Sequence, residues 1–267
     1  MEKIKIVGIA LCLFAATLTY AEEAQTQIDL SKFPAASVDN VVVPVPSEIF
    51  VVLDKLGTPD WHAEIFEGEV KPMADRAQIA LLLGTVIADG FIAVEAQDKE
   101  EVKRVGKEVL RLADAINVRK SVITRCKSIT DQADARNWPA VRQEFDGALH
   151  DVRAAMQELN DDDLAQLVSL GGWVRGTQVL TSIVQKNYSP DGADLLHQPA
   201  LINYFDKRID SMNPRLRKNP LVTRIQKMLG KIRPLVGEKD GSNISLDSVK
   251  RINKISMEML VAIKEAN

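Results

Sequence analysis

Asp89 and Arg175 are the charged side chains that stand in the least polar parts of the sequence, and they are the first candidates for chemistry. Between positions 77 and 94 the only strongly polar side chains are Gln78, Thr85 and Asp89. A buried carboxylate without a partner tends to be protonated. We therefore predict that Asp89 and Arg175 pair or share a buried polar network. The alternative is that hydroxyls or Arg76 satisfy Asp89, while Arg175 reaches solvent along its long stem.

A second candidate is the dense group of cations in residues 207–233. Nine basic residues stand there against one acidic residue, Asp210, which gives the segment a net charge of +8 in a chain whose net charge is −3. The residues that we single out for binding are Arg215, Arg217, Lys218, Arg224, Lys227 and Lys231. Such a segment suits headgroups, an acidic polymer or a partner protein. The alternative is a solvated face that is balanced by acidic helices such as residues 95–108.

Metal and catalytic chemistry have less support. The run Asn160-Asp161-Asp162-Asp163 lacks the alternating ligands and the turn glycine of a calcium loop, so we expect it to cap a helix. His62, Glu64 and His197 match no ligand spacing. The sequence contains no glycine-rich phosphate loop, CxxCH haem attachment, HExxH pair or GxSxG elbow. We therefore predict no catalytic residue, no metal and no cofactor.

Residues 1–21 have the layout of a secretory signal peptide. Lys3 and Lys5 precede an apolar run, and Thr19-Tyr20-Ala21 ends in a small residue suited to cleavage. The apolar run is shorter than the ~20 residues that span a bilayer, which argues against an anchor. We expect a periplasmic or secreted chain with a net charge near −4, since two lysines and one glutamate leave with the signal peptide. Neither export nor this charge favours nucleic acid as a partner.

Cleavage would also remove Cys12 and leave Cys126 as the single cysteine. On a helix Cys126 falls in line with the apolar residues Val122 and Ile129, so a buried structural thiol is the expected role.

Two long apolar stretches, residues 75–97 and 164–184, must position the charged pair. Their glycines, their charged flanks and Asp89 at mid-span are typical of central helices in a protein core and unfavourable for a membrane span. Gly84 and Ala88 are four residues apart, as are Gly172 and Gly176, and such strips let two helix backbones approach closely. We predict that these strips meet.

The surrounding sequence predicts a single all-α domain, residues 47–267, with about eight to ten helices around the two central ones. A proline-containing, extended lead-in, residues 22–46, precedes it. Polar signals mark several helix starts, namely Thr58-Pro59-Asp60, Asp98 with Glu101, Asn137, and Asn219 before Pro220.

The patterns Gly84-xxx-Ala88-Asp89 and Gly172-Trp173-xx-Gly176, each on its own helix, resemble those of a group of all-helical bacterial envelope proteins. The similarity covers roughly residues 76–180. It implies a helical fold and export, and it assigns no activity, cofactor or site residue. The chain lacks the lipid-anchor cysteine that many members carry.

These observations predict an exported, non-catalytic helical protein that binds a partner protein or an anionic envelope surface through residues 207–233. No transmembrane span is expected after signal cleavage. The alternative function is an enzyme or small-ligand carrier with a polar pocket between the central helices, near Asp89 and Arg175. A continuous basic face would favour the first function, and a deep cavity with Asp89 at its floor would favour the second.

Overall fold

The structure, a computed structural model, describes residues 59–66, 73–237 and 244–265, together with the backbone of two short strands. These residues belong to one compact unit, Phe33–Asn267. The strands are β1 (Ala36–Val38) and β2 (Val41–Val43), which pair antiparallel with Ser37 opposite Val42. The predicted signal peptide and the rest of the lead-in lie outside the described residues.

Ten α-helices make up the described part of the domain, which confirms the prediction of a single all-α fold. The first five are α1 (Arg76–Glu95), α2 (Lys99–Ala115), α3 (Arg119–Asp134), α4 (Trp138–Glu158) and α5 (Asp162–Lys186). They are followed by α6 (Pro190–Asp194), α7 (Pro199–Ser211), α8 (Pro214–Arg217), α9 (Pro220–Ile232) and α10 (Leu246–Lys264). Single turns of 3-10 helix occur at His62–Glu64 and Arg233–Leu235.

Four connections of equal length join the first five helices. Each has three residues, and the middle residue has a positive φ angle, which is 53° at Gln97, 67° at Asn117, 54° at Arg136 and 57° at Asn160. The residue after it donates its backbone N–H to a carbonyl five positions back, as Asp98 does to Ala93 at 3.0 Å. This is the Schellman ending of a helix. It turns each helix back onto its predecessor, so α1 to α5 pack as sequential neighbours.

Helix α1 lies at the centre of the core. Every residue from Ala77 to Val94 is buried, and α2, α4, α5, α9 and α10 all contact the helix. In the described part of the chain α1 alone is long and apolar enough to cross a membrane, and its apolar window is entirely buried within the protein. The stretch therefore has the place that the sequence predicts for it, at the centre of a helical core.

Helices α1 and α5 run in the same direction and touch backbone to backbone. A Cβ atom on Gly84 would lie 1.8 Å from the carbonyl oxygen of Val168, and one on Gly171 would lie 1.9 Å from that of Leu81. Only glycine fits at either position. The predicted close crossing is present at Gly84 and Gly172, and it also includes Gly171, which the sequence analysis did not single out. The predicted Gly176 lines a small cavity of about 10 Å³ with Trp173 and Ile232, among others.

Candidate functional site

Asp89 and Arg175 form the buried ion pair that the sequence predicts. The Arg175 Nε donates to Asp89 Oδ1 at 2.5 Å, and the two side chains are only 3% and 7% exposed, arginine first. The Nη1 of Arg175 donates to Gln178 Oε1, and its Nη2 donates to the backbone oxygen of Glu64 at 2.5 Å. Each nitrogen of the guanidinium thus has a protein acceptor, which offsets part of the cost of burying the charge.

A second carboxylate, that of Glu64, borders this pair. Glu64 is buried, and its Oε1 accepts hydrogen bonds from Ser182 Oγ at 2.9 Å and Lys186 Nζ at 2.6 Å. Since its backbone oxygen also binds Arg175, three residues of α5 hold this turn in place. Charge-assisted bonds of this kind are the stronger hydrogen bonds in proteins. Through Glu64, the short segment of residues 61–66 is therefore hydrogen-bonded to α5.

The same segment corrects one expectation from the sequence. Pro59 and Asp60 do not begin an α-helix, and the chain forms one turn of 3-10 helix, His62–Glu64. Asp60 caps this turn, since its Oδ1 accepts from the backbone N–H of Ala63 at 3.2 Å. Thr58, the predicted cap, lies outside the described residues, and the helical turn that follows Pro59 ends before residue 66.

A further cation, Lys264, reaches the network from the end of α10. Its Nζ lies 4.0 Å from Asp89 Oδ2 and sits over the ring of Phe66, 2.8 Å from the ring centroid. Burial lowers the pKa of Lys264 to about 8, while the Asp89 carboxylate opposes this shift and Arg175 adds to it. The single negative charge of Asp89 therefore lies between two cations, Arg175 in direct contact and Lys264 at 4.0 Å, and the face of Phe66 favours the lysine charge as well.

The sequence analysis considered Glu64 only as a possible metal ligand and did not identify Lys264. Lys264 had a usable signal, because it continues the four-residue spacing of the buried Ser256 and Leu260 on the core side of α10. Glu64 had none, since a carboxylate in a single helical turn shows no periodicity. Both are placed by contacts with distant parts of the chain.

Two cavities between described residues lie away from the network, and neither is lined by Asp89 or Arg175. The larger, of about 260 Å³, lies where the starts of α1, α5, α8 and α9 converge. Residues at these helix starts bind one another there. Asn219 Nδ2 donates to Asp75 Oδ2 at 2.9 Å, and Arg76 Nη2 donates to Asp161 Oδ2 at 2.8 Å. These cavities therefore do not provide the pocket at Asp89 that the alternative function requires.

We use the name basic surface for six cations on and between α8 and α9. All six side chains predicted for binding belong to it and are exposed, namely Arg215, Arg217, Lys218, Arg224, Lys227 and Lys231. Within the described part of the chain none of the six takes part in an ion pair. Arg217 Nη1 does donate to the backbone oxygen of Asp210 at 3.1 Å. The group is therefore brought together on the outside of the fold with its charge uncompensated by close contacts.

Helix α9 positions half of this surface. As predicted, Asn219 caps it before Pro220, with its Oδ1 accepting from the backbone N–H groups of Leu221 at 2.9 Å and Val222 at 3.3 Å. The predicted apolar face is buried and consists of Leu221, Ile225, Met228, Leu229 and Ile232. Because these residues face the core, the stripe of Arg224, Lys227 and Lys231 at three- and four-residue spacing must face outward.

The acidic residues that were expected to balance the segment are paired elsewhere. Glu95 pairs with Arg142, Glu101 pairs with Arg104 at 2.6 Å, and Glu108 pairs with Arg111 at 2.5 Å. Two further basic residues of the segment do have partners, since Arg233 pairs with Asp206 at 2.5 Å and Arg208 lies over the ring of Tyr204, 5.3 Å from its centroid. The six cations of the basic surface differ from these in forming no ion pair with a described residue.

The other residues considered for catalysis or metal binding lie in surroundings that do not favour either role. Cys126 is buried, and desolvation raises the pKa of its thiol to about 12, so the nucleophilic thiolate is scarce at neutral pH. His62 is exposed, and His197 Nδ1 lies 2.9 Å from the backbone oxygen of Val236. No group of three or more possible metal ligands occurs among the described residues. Asp161 occupies the N-cap position of α5, but its side chain makes no capping hydrogen bond and instead accepts from Arg76 Nη2 at 2.8 Å.

Compared with known proteins, the chain matches no family model, and it has no significant match to a curated protein or a solved structure. The resemblance to helical envelope proteins therefore stays a prediction, and the function has to be argued from the chain's own residues.

Proposed function

We propose that this chain is an exported helical protein that binds an anionic surface of the cell envelope through its basic surface. The observation that supports this function is the set of six exposed cations without an ion pair among the described residues, while the acidic side chains at positions 95, 101 and 108 are paired with other cations. Because no internal pair has to be broken, these cations are available to an external anion.

The binding force would be mainly electrostatic. A cation close to an anionic membrane contributes about 1 kcal/mol, and added salt screens the attraction beyond about 10 Å at 0.1 M ionic strength. We therefore expect affinity that falls steeply with salt. The ligand-pocket alternative gains no support, because each nitrogen of Arg175 already has an acceptor within the protein.

Replacing Arg224, Lys227 and Lys231 together with glutamine is expected to weaken binding to anionic phospholipid vesicles by roughly 100-fold at low salt, at about 1 kcal/mol for each cation. Cosedimentation over a salt series measures the effect, and circular dichroism checks that the variant remains folded. The same substitutions should weaken binding to a soluble anionic polymer such as polyphosphate.

A matched control is the triple variant Lys107→Gln, Lys120→Gln and Lys127→Gln. These lysines of α2 and α3 are exposed and have no ion pair with described residues. Both triple variants remove three positive charges, so the change in net charge is identical. Equal losses in the two variants would mean that net charge alone governs binding. That result, or a parent protein that binds no anionic surface, would contradict the proposed function.

Export is the other part of the proposal. The signal-peptide layout of residues 1–21 predicts cleavage after Ala21, so N-terminal sequencing of the exported protein is expected to start at Glu22. A chain that keeps Met1 and remains in the membrane fraction would rule out this part, and it would leave the binding experiment unaffected.

A further inference from the structure

The outer face of α10 carries two cations followed by two apolar side chains in one line. Lys250, Lys254, Met257 and Val261 are spaced by four, three and four residues, which places them along a single stripe of the helix. All four are exposed, with Met257 and Val261 at 39% and 46%. Neither lysine forms an ion pair or a side-chain hydrogen bond among the described residues. We call these four residues the α10 stripe.

The α10 stripe lies on a helix that packs beside α9, which carries half of the basic surface. Both helices bury their apolar faces in the same core, as Ile225 of α9 and Ile252 of α10 show with 0% exposure each. Their outward faces are therefore neighbours on the protein surface. The combined face has cations on both helices, its exposed apolar pair on α10, and two exposed carboxylates on α10, Asp247 three residues before Lys250 and Glu258 four residues after Lys254.

We propose that this combined face docks on a bilayer that contains anionic phospholipid, with Met257 and Val261 entering the interface and the cations lying at the phosphates. This inference rests on the proposed function and names the anionic surface. Cations and apolar residues on one exposed helix face are the pattern of an interfacial membrane contact. A flexible methionine also adapts readily to an irregular apolar environment.

Two other occupants fit the stripe less well. A soluble acidic polymer would satisfy the cations but would leave Met257 and Val261 in water. A specific protein interface usually covers about 800 Å² on each partner around an apolar centre. Two half-exposed side chains beside cations do not supply such a centre, whereas a bilayer offers phosphate charge and an acyl layer a few ångströms apart.

The first test replaces Met257 and Val261 together with serine. Binding to anionic vesicles is expected to fall roughly tenfold, because two apolar side chains no longer leave water. Binding to polyphosphate is expected to stay unchanged, since every cation remains. The matched control is Ile123→Ser with Leu159→Ser, because Ile123 and Leu159 are 46% and 51% exposed on α3 and after α4.

The second test reports insertion directly. A polarity-sensitive fluorophore is attached to Met257→Cys, or to Ile123→Cys as the control, in a chain whose Cys12 is replaced by serine. Because Cys126 is buried and its thiol is almost wholly protonated, the label goes to the introduced residue. Anionic vesicles should shift the emission to the blue at position 257 and leave it unchanged at position 123, and polyphosphate should shift neither.

The outcomes separate the two proposals. Vesicle binding that depends on Arg224, Lys227 and Lys231 but not on Met257 or Val261, with no emission shift, overturns the bilayer inference and leaves the proposed function standing. Binding to polyphosphate without binding to vesicles has the same meaning. A parent protein that binds neither overturns both.

Discussion

Replacing Asp89 with alanine is expected to lower the free energy of unfolding by about 3–5 kcal/mol, because it leaves a buried arginine charge without its carboxylate. Arg175 would retain only neutral acceptors, the side chain of Gln178 and the backbone oxygen of Glu64. Lys264 also loses its nearby anion, but its pKa of about 8 lets it give up its proton, which arginine cannot do. Chemical denaturation monitored by circular dichroism measures the loss.

A double-mutant cycle shows whether the two side chains act as a pair. Arg175→Met alone leaves the Asp89 carboxylate with Lys264, 4.0 Å away, as its remaining ion-pair partner among the described residues, so it is also expected to be costly. Asp89→Leu with Arg175→Met should cost less than the sum of the single changes. The exposed pair Glu108–Arg111 is the control, and Glu108→Ala should change stability by less than about 1 kcal/mol. Additive effects at Asp89 and Arg175 would contradict the coupling.

Gly84→Ala is expected to destabilise the protein by about 3 kcal/mol, at the upper end of the usual cost of overpacking. The added Cβ would lie 1.8 Å from a backbone oxygen of α5, so the clash cannot be relieved by rotating a side chain. Gly171→Ala should behave similarly, because its Cβ would lie 1.9 Å from a backbone oxygen of α1. Either change forces the two central helices apart.

Gly230→Ala is the matched control on α9. A Cβ at this exposed position would meet no atom within 4 Å. Alanine is the better helix former, so this variant should be more stable by about 0.5–1 kcal/mol. Thermal denaturation of the three variants measures these changes as shifts in melting temperature. An increase in melting temperature for Gly84→Ala as well as for Gly230→Ala would contradict the close packing of the two central helices.

The sequence predicts the parts of this fold that local chemistry determines. An apolar run around Asp89 has to be a core helix with a compensated charge, and Arg175, the only basic residue between Arg153 and Lys186, is the natural partner. Asp98 and Asn219 mark helix starts because their side chains accept from the backbone N–H groups that follow, and both do so here. The high positive charge of residues 207–233 can also be read from the sequence, since it requires only a count of basic and acidic residues.

Contacts between distant segments decide what the sequence does not show. Gly171 and Gly172 are equivalent in type, and only the crossing of α1 and α5 shows that glycine is required at Gly171, whereas a Cβ on Gly172 would lie 3.5 Å from the nearest atom of α1. Gln97 and Arg136 adopt positive φ angles that glycine or asparagine would take more readily, because the Schellman hydrogen bonds and the packing of the next helix hold them there. Whether the basic surface is balanced depends on where the acidic residues of α2 find partners, and those partners are known only from the folded chain.

The apolar surface of α1, which is buried in the folded protein, is made before the helix that covers much of it. Its partner helix follows far behind, since 86 residues separate Asp89 from Arg175. A ribosome therefore releases a helix with a mean hydropathy of 1.9 well before the groove that covers it exists. An aspartate at the centre of such a helix costs about 2.5–3.5 kcal/mol on membrane-insertion scales. The carboxylate that later holds Arg175 thus also disfavours the nascent helix as a stop-transfer segment during the interval before α5 has been made.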